Sequence, residues 1–207
     1  MPELQKFPKL TVDEYLAFEE NGEYKHEYVN GCIFAMTGAS RKHATISLNI
    51  ASTLRSSLRG SGCDVFMSDM KVYARAADSF YYPDVVIECK TALKLDQYSD
   101  SPTAIFEVLS KSTATTDCRE KLVAYQKIDS LQSYVIVNQS RKRVVHYLRA
   151  GEEWLMQEFN GYGELILKCS DKDKPAVKLT LDEIYENVKV DDGPDLLVLE
   201  EAEALVW

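Results

Sequence analysis

Three carboxylates stand where a folded core would not ordinarily place them. Asp84 and Glu88 interrupt the apolar run YYPDVVIECK at residues 81–90, and Glu107 is embedded in TAIFEVLS at residues 103–110. Side chains alternate across a strand, so Asp84, Val86 and Glu88 face one way and Val85, Ile87 and Cys89 the other. An acid on a dry face is costly unless water, a cation or the strand's end relieves it. If the two strands adjoin, Asp84 and Glu107 come close together. Two neighbouring carboxylates repel unless one keeps a proton or a divalent cation binds between them. Oxygen ligands of this kind suit Mg²⁺, with Mn²⁺ as a substitute and water completing the shell. Asp84 and Glu88 cannot share one ion, because four residues of strand separate them by roughly 13 Å. Glu107 is therefore the better partner for Asp84.

Such a site gains from an amine that orients water or steadies charge developing on a substrate. The pattern Glu-x-Lys would place it at position 109, where Leu109 stands. The stretch DCREK, residues 117–121, offers Lys121 one element downstream instead. Each of these residues also has a plainer reading. Asp84 would cap a backbone donor, Glu107 would pair with Lys121 or Lys90, and Lys121 would pair with Asp117 at i,i+4 on a solvated helix face. Glu88 and Lys90 read as an edge-of-strand pair. His43, near a helix start, reads as a capping or packing residue rather than a base. Three histidines without a His-x-x-x-His argue against a zinc hydrolase, and Ser110 and Ser112 lack the glycines of a nucleophile elbow. The basic run SRKRVVHYLR, residues 140–149, would either grip phosphates or serve solubility on an exposed strand.

The elements that must hold these residues follow from capping signals and periodicity. Thr11 with Glu14 opens a helix over 11–20 that ends by Gly22. Asn30-Gly31 predicts a type I′ hairpin turn between two alternating runs. Residues 40–59 form the longest helical pattern, with Ile46, Leu48, Ile50, Leu54 and Leu58 toward the core. Strands are expected at 63–67, 70–75, 82–89 and 103–109. A helix is expected over 115–128, burying Leu122, Tyr125 and Ile128. SYVIVN reads as a core strand, followed by a meander of mostly antiparallel strands and a short helix opened by Thr180 with Glu183. Helices flanking strands predict an α/β (α+β) fold around a mixed sheet. One domain over 1–207 is expected, with a body over about 10–170 and an acidic segment over 171–207 packed on it.

The quoted stretches together are similar to a known family. YYPDVVIEC, FEVLSKSTATTDCREKLVAYQKI and SYVIV, with HEYVNGCIFAMTGAS and His43 upstream, resemble a bacterial, cyanobacteria-rich family described as restriction endonucleases. That family lies within the PD-(D/E)XK nuclease superfamily. Its recurring string corresponds here to Glu107, Val108, Ser110, Ser112 and Thr113, then Asp117, Lys121 and Tyr125. The likeness spans about residues 10–150, and departs from the family pattern at Lys111 and in DSLQSYVIV. It implies a restriction-endonuclease-like core, a mixed sheet flanked by helices. It implies Mg²⁺ held by Asp84, Glu107 and Val108, with Lys121 replacing the lysine absent at 109. Glu27 would match the superfamily's N-terminal acid and hold a second metal or its water. The implied activity is hydrolysis of DNA phosphodiester bonds. Two rivals stand beside it: a module that kept the fold without catalysis and binds a protein or nucleic-acid partner, and a hydrolase of a smaller phosphate ester.

Charge neither supports nor excludes DNA. The net charge is −9. Residues 171–207 hold 11 acidic against 4 basic residues, a balance of −7, which leaves the body at −2. A local basic groove is compatible with that balance. Five widely spaced cysteines with no Cys-x-x-Cys read as reduced, mostly buried thiols of a cytoplasmic protein. No membrane span or signal peptide is expected. A homodimer is, because two-strand cleavage suits paired subunits.

Overall fold

The computed structural model describes residues 9–36, 38–89, 97–109, 116–168 and 176–190. In chain order the elements are α1 (Val12–Glu20), β1 (His26–Val29), β2 (Cys32–Ala35), α2 (Arg41–Ser57), β3 (Cys63–Met67), β4 (Lys71–Ala74), β5 (Ser79–Tyr81), β6 (Val85–Cys89), β7 (Tyr98–Ser99) and β8 (Ala104–Leu109). A π-helical turn (Thr116–Lys121) then leads into α3 (Leu122–Tyr125), followed by β9 (Ser133–Asn138), β10 (Arg143–Ala150), β11 (Glu153–Asn160), β12 (Glu164–Leu167), β13 (Val177–Thr180) and α4 (Leu181–Ile184). The fold is mixed α/β, with helices flanking mixed sheets.

Local signals place several elements where the sequence predicts them. Thr11 and Glu14 form a reciprocal capping box on α1, and Thr180 and Glu183 form another on α4. Asn30 and Gly31 both take positive φ, at 49° and 89°, as a type I′ turn requires. The Ser40 side chain accepts a hydrogen bond from the His43 amide and so caps α2.

The strands divide into more than the single mixed sheet expected. One sheet runs β2-β1-β5-β4-β7, a second runs β11-β10-β9-β8-β6-β3, and β12 pairs with β13 apart from both. The strand expected at 82–89 is broken. Proline lacks a backbone donor, so Pro83 ends the run, leaving β5 in the first sheet and β6 in the second. Asp84 lies at the bend between them. The helix expected over 115–128 is only a π-helical turn and one α-turn, although Tyr125 and Ile128 are buried and Leu122 packs beside them. Leu48, expected in the core, is 58% exposed, because Ile46, Ile50, Ala51 and Leu54 already fill the inward stripe of α2.

Three apolar clusters hold these layers. One lies on the α2 face of the second sheet and takes in Ile50, Leu54, Val85, Ile87, Phe106 and Val108, together with β13 and α4. A second lies on the sheet's other face, joining Val86, Ile105, Tyr134 and Ile136 to Val72 and Tyr81 of the first sheet and to Tyr125. The third packs α1 on the first sheet through Tyr15, Tyr28, Tyr73 and Phe80. Asn49 of α2 donates to the carbonyls of Ile184 and Glu186, so residues near the end of the described chain dock on this helix.

The cysteine expectation is corrected. Cys63 and Cys89 stand opposite each other across β3 and β6, with Cα atoms 4.0 Å apart, and are joined as a disulfide. Their separation of 26 residues gave no sign of this pairing. Cys32 is free and exposed rather than buried. The side chains of Cys118 and Cys169 lie outside the described residues, as do the side chain of Asp117 and residues Lys90, Ser110, Lys111, Ser112 and Thr113.

Candidate active site

β6 and β8 adjoin in antiparallel register, Val85 opposite Phe106 and Val86 opposite Ile105. Continuing that register by one residue sets Asp84 opposite Glu107. The faces follow the alternation read from the sequence. Val85, Ile87, Phe106 and Val108 lie in the α2-side cluster, while Val86 and Ile105 lie in the opposite one. Glu107 shares the face of Ile105 and is 3% exposed. Asp84, just before β6, turns a carboxylate oxygen back onto β8. Its Oδ2 accepts a 2.7 Å hydrogen bond from the Val108 amide. In an extended strand the N–H and C=O of one residue point to the same flank. The Val108 carbonyl therefore shares the flank on which Asp84 sits.

Lys121 does not lie on a solvated helix face. The π-helical turn carries it inward until it is 5% exposed. Its Nζ stands 2.8 Å from Glu27 Oε1 and 3.2 Å from Glu107 Oε1. It also lies 5.5 Å from the centre of the Tyr81 ring. Tyr125, one helical turn on, donates its hydroxyl to Glu107 Oε1 at 3.0 Å. Burial, and then the charge of Glu107, hold the Tyr125 hydroxyl well above its usual pKa, so it remains a donor.

Glu27 reaches this point from the first sheet. Tyr28, its neighbour on β1, pairs with Phe80 and packs in the α1 cluster, so Glu27 faces the other way, toward Tyr81 and Lys121. The buried Glu19 fixes the start of β1. Its Oε1 accepts from the His26 amide and from the Tyr82 hydroxyl, at 2.9 and 2.7 Å. One amine thus ties the two sheets together.

Two participants were not assigned to the site from the sequence. His43, read as a capping or packing residue, sends Nε2 to within 3.1 Å of Asp84 Oδ2. Nothing in the spacing of residues 43 and 84 indicated this, because the approach depends on how α2 crosses the end of the sheet. Tyr125 did leave a trace. A tyrosine four residues after a lysine shares its helix face, and both groups reach Glu107. Glu88 lies at the far end of β6, opposite Asp64, away from this cluster.

Among the described residues, no three His, Cys, Asp or Glu side chains are gathered as a metal cage. A cation here would take Asp84, Glu107 and the Val108 carbonyl, with water supplying the other positions. Mg²⁺ is commonly bound in that manner, by one or two carboxylates and several waters.

Comparison with known proteins identifies the family. An uncharacterized protein of Synechocystis, sll1609, is 34% identical over 156 residues, covering 73% of this chain and 88% of its own length. A second from the same organism, slr1290, is 33% identical over 164 residues, covering 78% and 86%. A crystal structure from Anabaena variabilis, described as a putative nuclease belonging to DUF820, superposes with a TM-score of 0.67 at 15% identity. It covers 87% of this chain and 99% of that one, and at that identity the likeness speaks for the fold. The family model Uma2, described as "Putative restriction endonuclease", matches residues 12–171. With three quarters of the chain under that model and two relatives above 30% identity, the chain belongs to the Uma2 family.

Proposed function

We propose that the protein is a Mg²⁺-dependent endonuclease that hydrolyses DNA phosphodiester bonds at the Asp84–Glu107–Lys121 cluster. The observation that carries this reading is that Asp84 accepts from the Val108 amide, one residue from Glu107 on the adjoining strand, while the buried Lys121 amine lies 3.2 Å from Glu107. Family membership and fold support the coarser statement, a nuclease-like protein.

Asp84, Glu107 and the Val108 carbonyl would hold the ion. When bound, Mg²⁺ polarises a phosphate oxygen and makes water a better nucleophile at neutral pH. His43 and the Val108 amide both meet the Asp84 carboxylate at Oδ2, and these contacts fix its orientation. Tyr125 and Lys121 fix Glu107 through Oε1. Lys121, held also by Glu27, is placed to orient the attacking water or to steady charge on the phosphate. Glu27 acts through Lys121, holding the amine in place. Two plainer contacts are present as well, since Asp84 does cap an amide and Glu107 does pair with Lys121. A buried ion pair seldom gains net stability, so stability alone gives little reason to bury Glu107 and Lys121 together.

The reading carries a cytoplasmic location, where DNA is available, and no described helix is long and apolar enough to cross a membrane. It also carries a homodimer, which light scattering at high protein concentration tests. The activity is tested with supercoiled plasmid, Mg²⁺ or Mn²⁺, and the variants Asp84→Ala and Lys121→Ala. Nicking that needs the metal and is lost in both variants supports the proposal. Cleavage that survives both substitutions removes it.

A further inference from the structure

The basic run at 140–149 divides once its residues are placed. Arg149 is structural. Its guanidinium lies 4.5 Å from the Trp154 ring and donates to the carbonyls of Gln126, Ile128 and Leu131. Arg143 pairs with Glu158, and Lys142 pairs with Asp182. Arg141, half-buried in the turn between β9 and β10, has no ion-pair partner among the described residues.

That turn sits at the site's end of the sheet. β8 and β9 are parallel, so Leu109 and Asn138 end side by side. β6 runs the other way and begins there, beside Asp84. Gln139 donates to the Leu109 carbonyl at 2.8 Å, two residues past Glu107. The Ser40 hydroxyl donates to Gln139 Oε1 at 2.5 Å, which ties the cap of α2 to the same turn. Arg41 and Lys42 follow that cap, and His43 of the same turn of helix reaches Asp84. Neither Arg41 nor Lys42 has an ion-pair partner among the described residues, and Arg41 is exposed.

The positions of Arg41 and Lys42 oppose the helix. The positive end of the macrodipole lies at the N-terminus, where cations are unfavourable and anions are stabilised. The first turn of α2 holds no acid to offset them. These two charges therefore do not serve helix stability, and a bound phosphate would satisfy both the charges and the dipole.

We propose that the first turn of α2 and the β9–β10 turn together form a phosphate-contact surface, with Arg41, Lys42 and Arg141 seating a DNA backbone across the mouth of the site. The inference rests on the nuclease reading for its choice of partner, and it explains how a chain of net charge −9 approaches a polyanion. Phosphate contacts of this kind set register and affinity but carry no sequence information.

Binding of a fluorescent DNA duplex is measured by anisotropy over a salt series, in chelator, so that no cleavage contributes. Two double variants remove the same charge: Arg41→Ala with Arg141→Ala at this end, and Arg55→Ala with Arg59→Ala at the far end of α2, beside Cys63 and Asp64. Circular dichroism melts confirm that both fold, and Arg141→Gln alone replaces the first pair if it does not. The site-end pair is expected to weaken binding about tenfold or more and to flatten the log–log salt slope by about 2, near one per lost phosphate contact. The far-end pair is expected to leave the slope unchanged. Equal effects from both pairs, no effect from either, or no duplex binding at low salt would overturn the inference. Plasmid nicking by the wild type scores the nuclease reading separately. Nicking with an unchanged slope sinks this surface alone, and a localised slope change without nicking sinks the enzyme alone.

Discussion

Replacing Lys121 with methionine keeps most of the side chain's volume and removes its charge. The wild-type amine is 6% exposed and faces Glu107 at 4% and Glu27 at 15%. Without it, two carboxylates are left close together in a largely dry setting, with the Tyr125 hydroxyl on only one of them. Breaking a buried ion pair by removing one partner typically costs about 3–5 kcal/mol, because the remaining charge is uncompensated. Glu27 retains some contact with water, so the lower end applies, about 3 kcal/mol. For a chain of this size that corresponds to a fall in Tm of about 6–12 °C. Adding Glu107→Gln to Lys121→Met removes the most buried stranded charge, so the double variant melts above the single one. The assay is a thermal melt of wild type, both single variants and the double, in chelator at pH 7. A fall of less than about 2 °C for Lys121→Met would match an exposed pair and would refute the claim that this amine holds a buried charge cluster together. A double variant that is less stable than either single one, by the sum of their effects, would refute the coupling.

Two further predictions concern the frame around the site. His146 is fully buried, with Nε2 3.0 Å from the Ser133 hydroxyl and Nδ1 without a partner among the described residues, and burial pushes its pKa down to about 4. The unfolded chain takes up this proton near pH 6.5 while the folded chain resists, so stability is full above that pH and falls between pH 6.5 and 4, by about 3 kcal/mol in all. Urea melts across this range should show the loss, and His146→Leu should lack this component; an equal slope in both proteins would contradict it. The Cys63–Cys89 bond closes a separation of 26 residues, for which the chain-entropy account gives about 3.5 kcal/mol. Dithiothreitol should lower the melting temperature of the wild type and leave Cys63→Ser unchanged, and an unaffected wild type would mean that the bond does not hold β3 in place.

Local chemistry was the readable part of the sequence. The capping boxes at Thr11 and Thr180, the Asn30-Gly31 turn and the period-2 faces of β6 and β8 are each set by residues within a few positions of one another. The alternation of each strand could be read alone, but whether Asp84 and Glu107 come together depends on the register of β6 on β8. What could not be read depends on approach between distant segments. The contact of His43 with Asp84 follows from where α2 crosses the sheet. The bond between Cys63 and Cys89 follows from the register of β3 on β6. The break at Pro83 was visible as a residue, but its consequence, strands in two different sheets, required the pairing partners. The burial of Lys121 was hidden for a similar reason: a π-helical turn rotates a residue that helical spacing alone would leave beside Asp117 on the surface.

The central claim is that one divalent cation binds between Asp84 and Glu107, within reach of Lys121. The most direct measurement is the anomalous difference map of a crystal grown or soaked with Mn²⁺. The account predicts a single peak in ligand contact with the carboxylates of Asp84 and Glu107 and with the Val108 carbonyl, absent in Asp84→Asn. A peak at Asp64 and Glu88 instead, or none at the site with Mn²⁺ in excess, would contradict it.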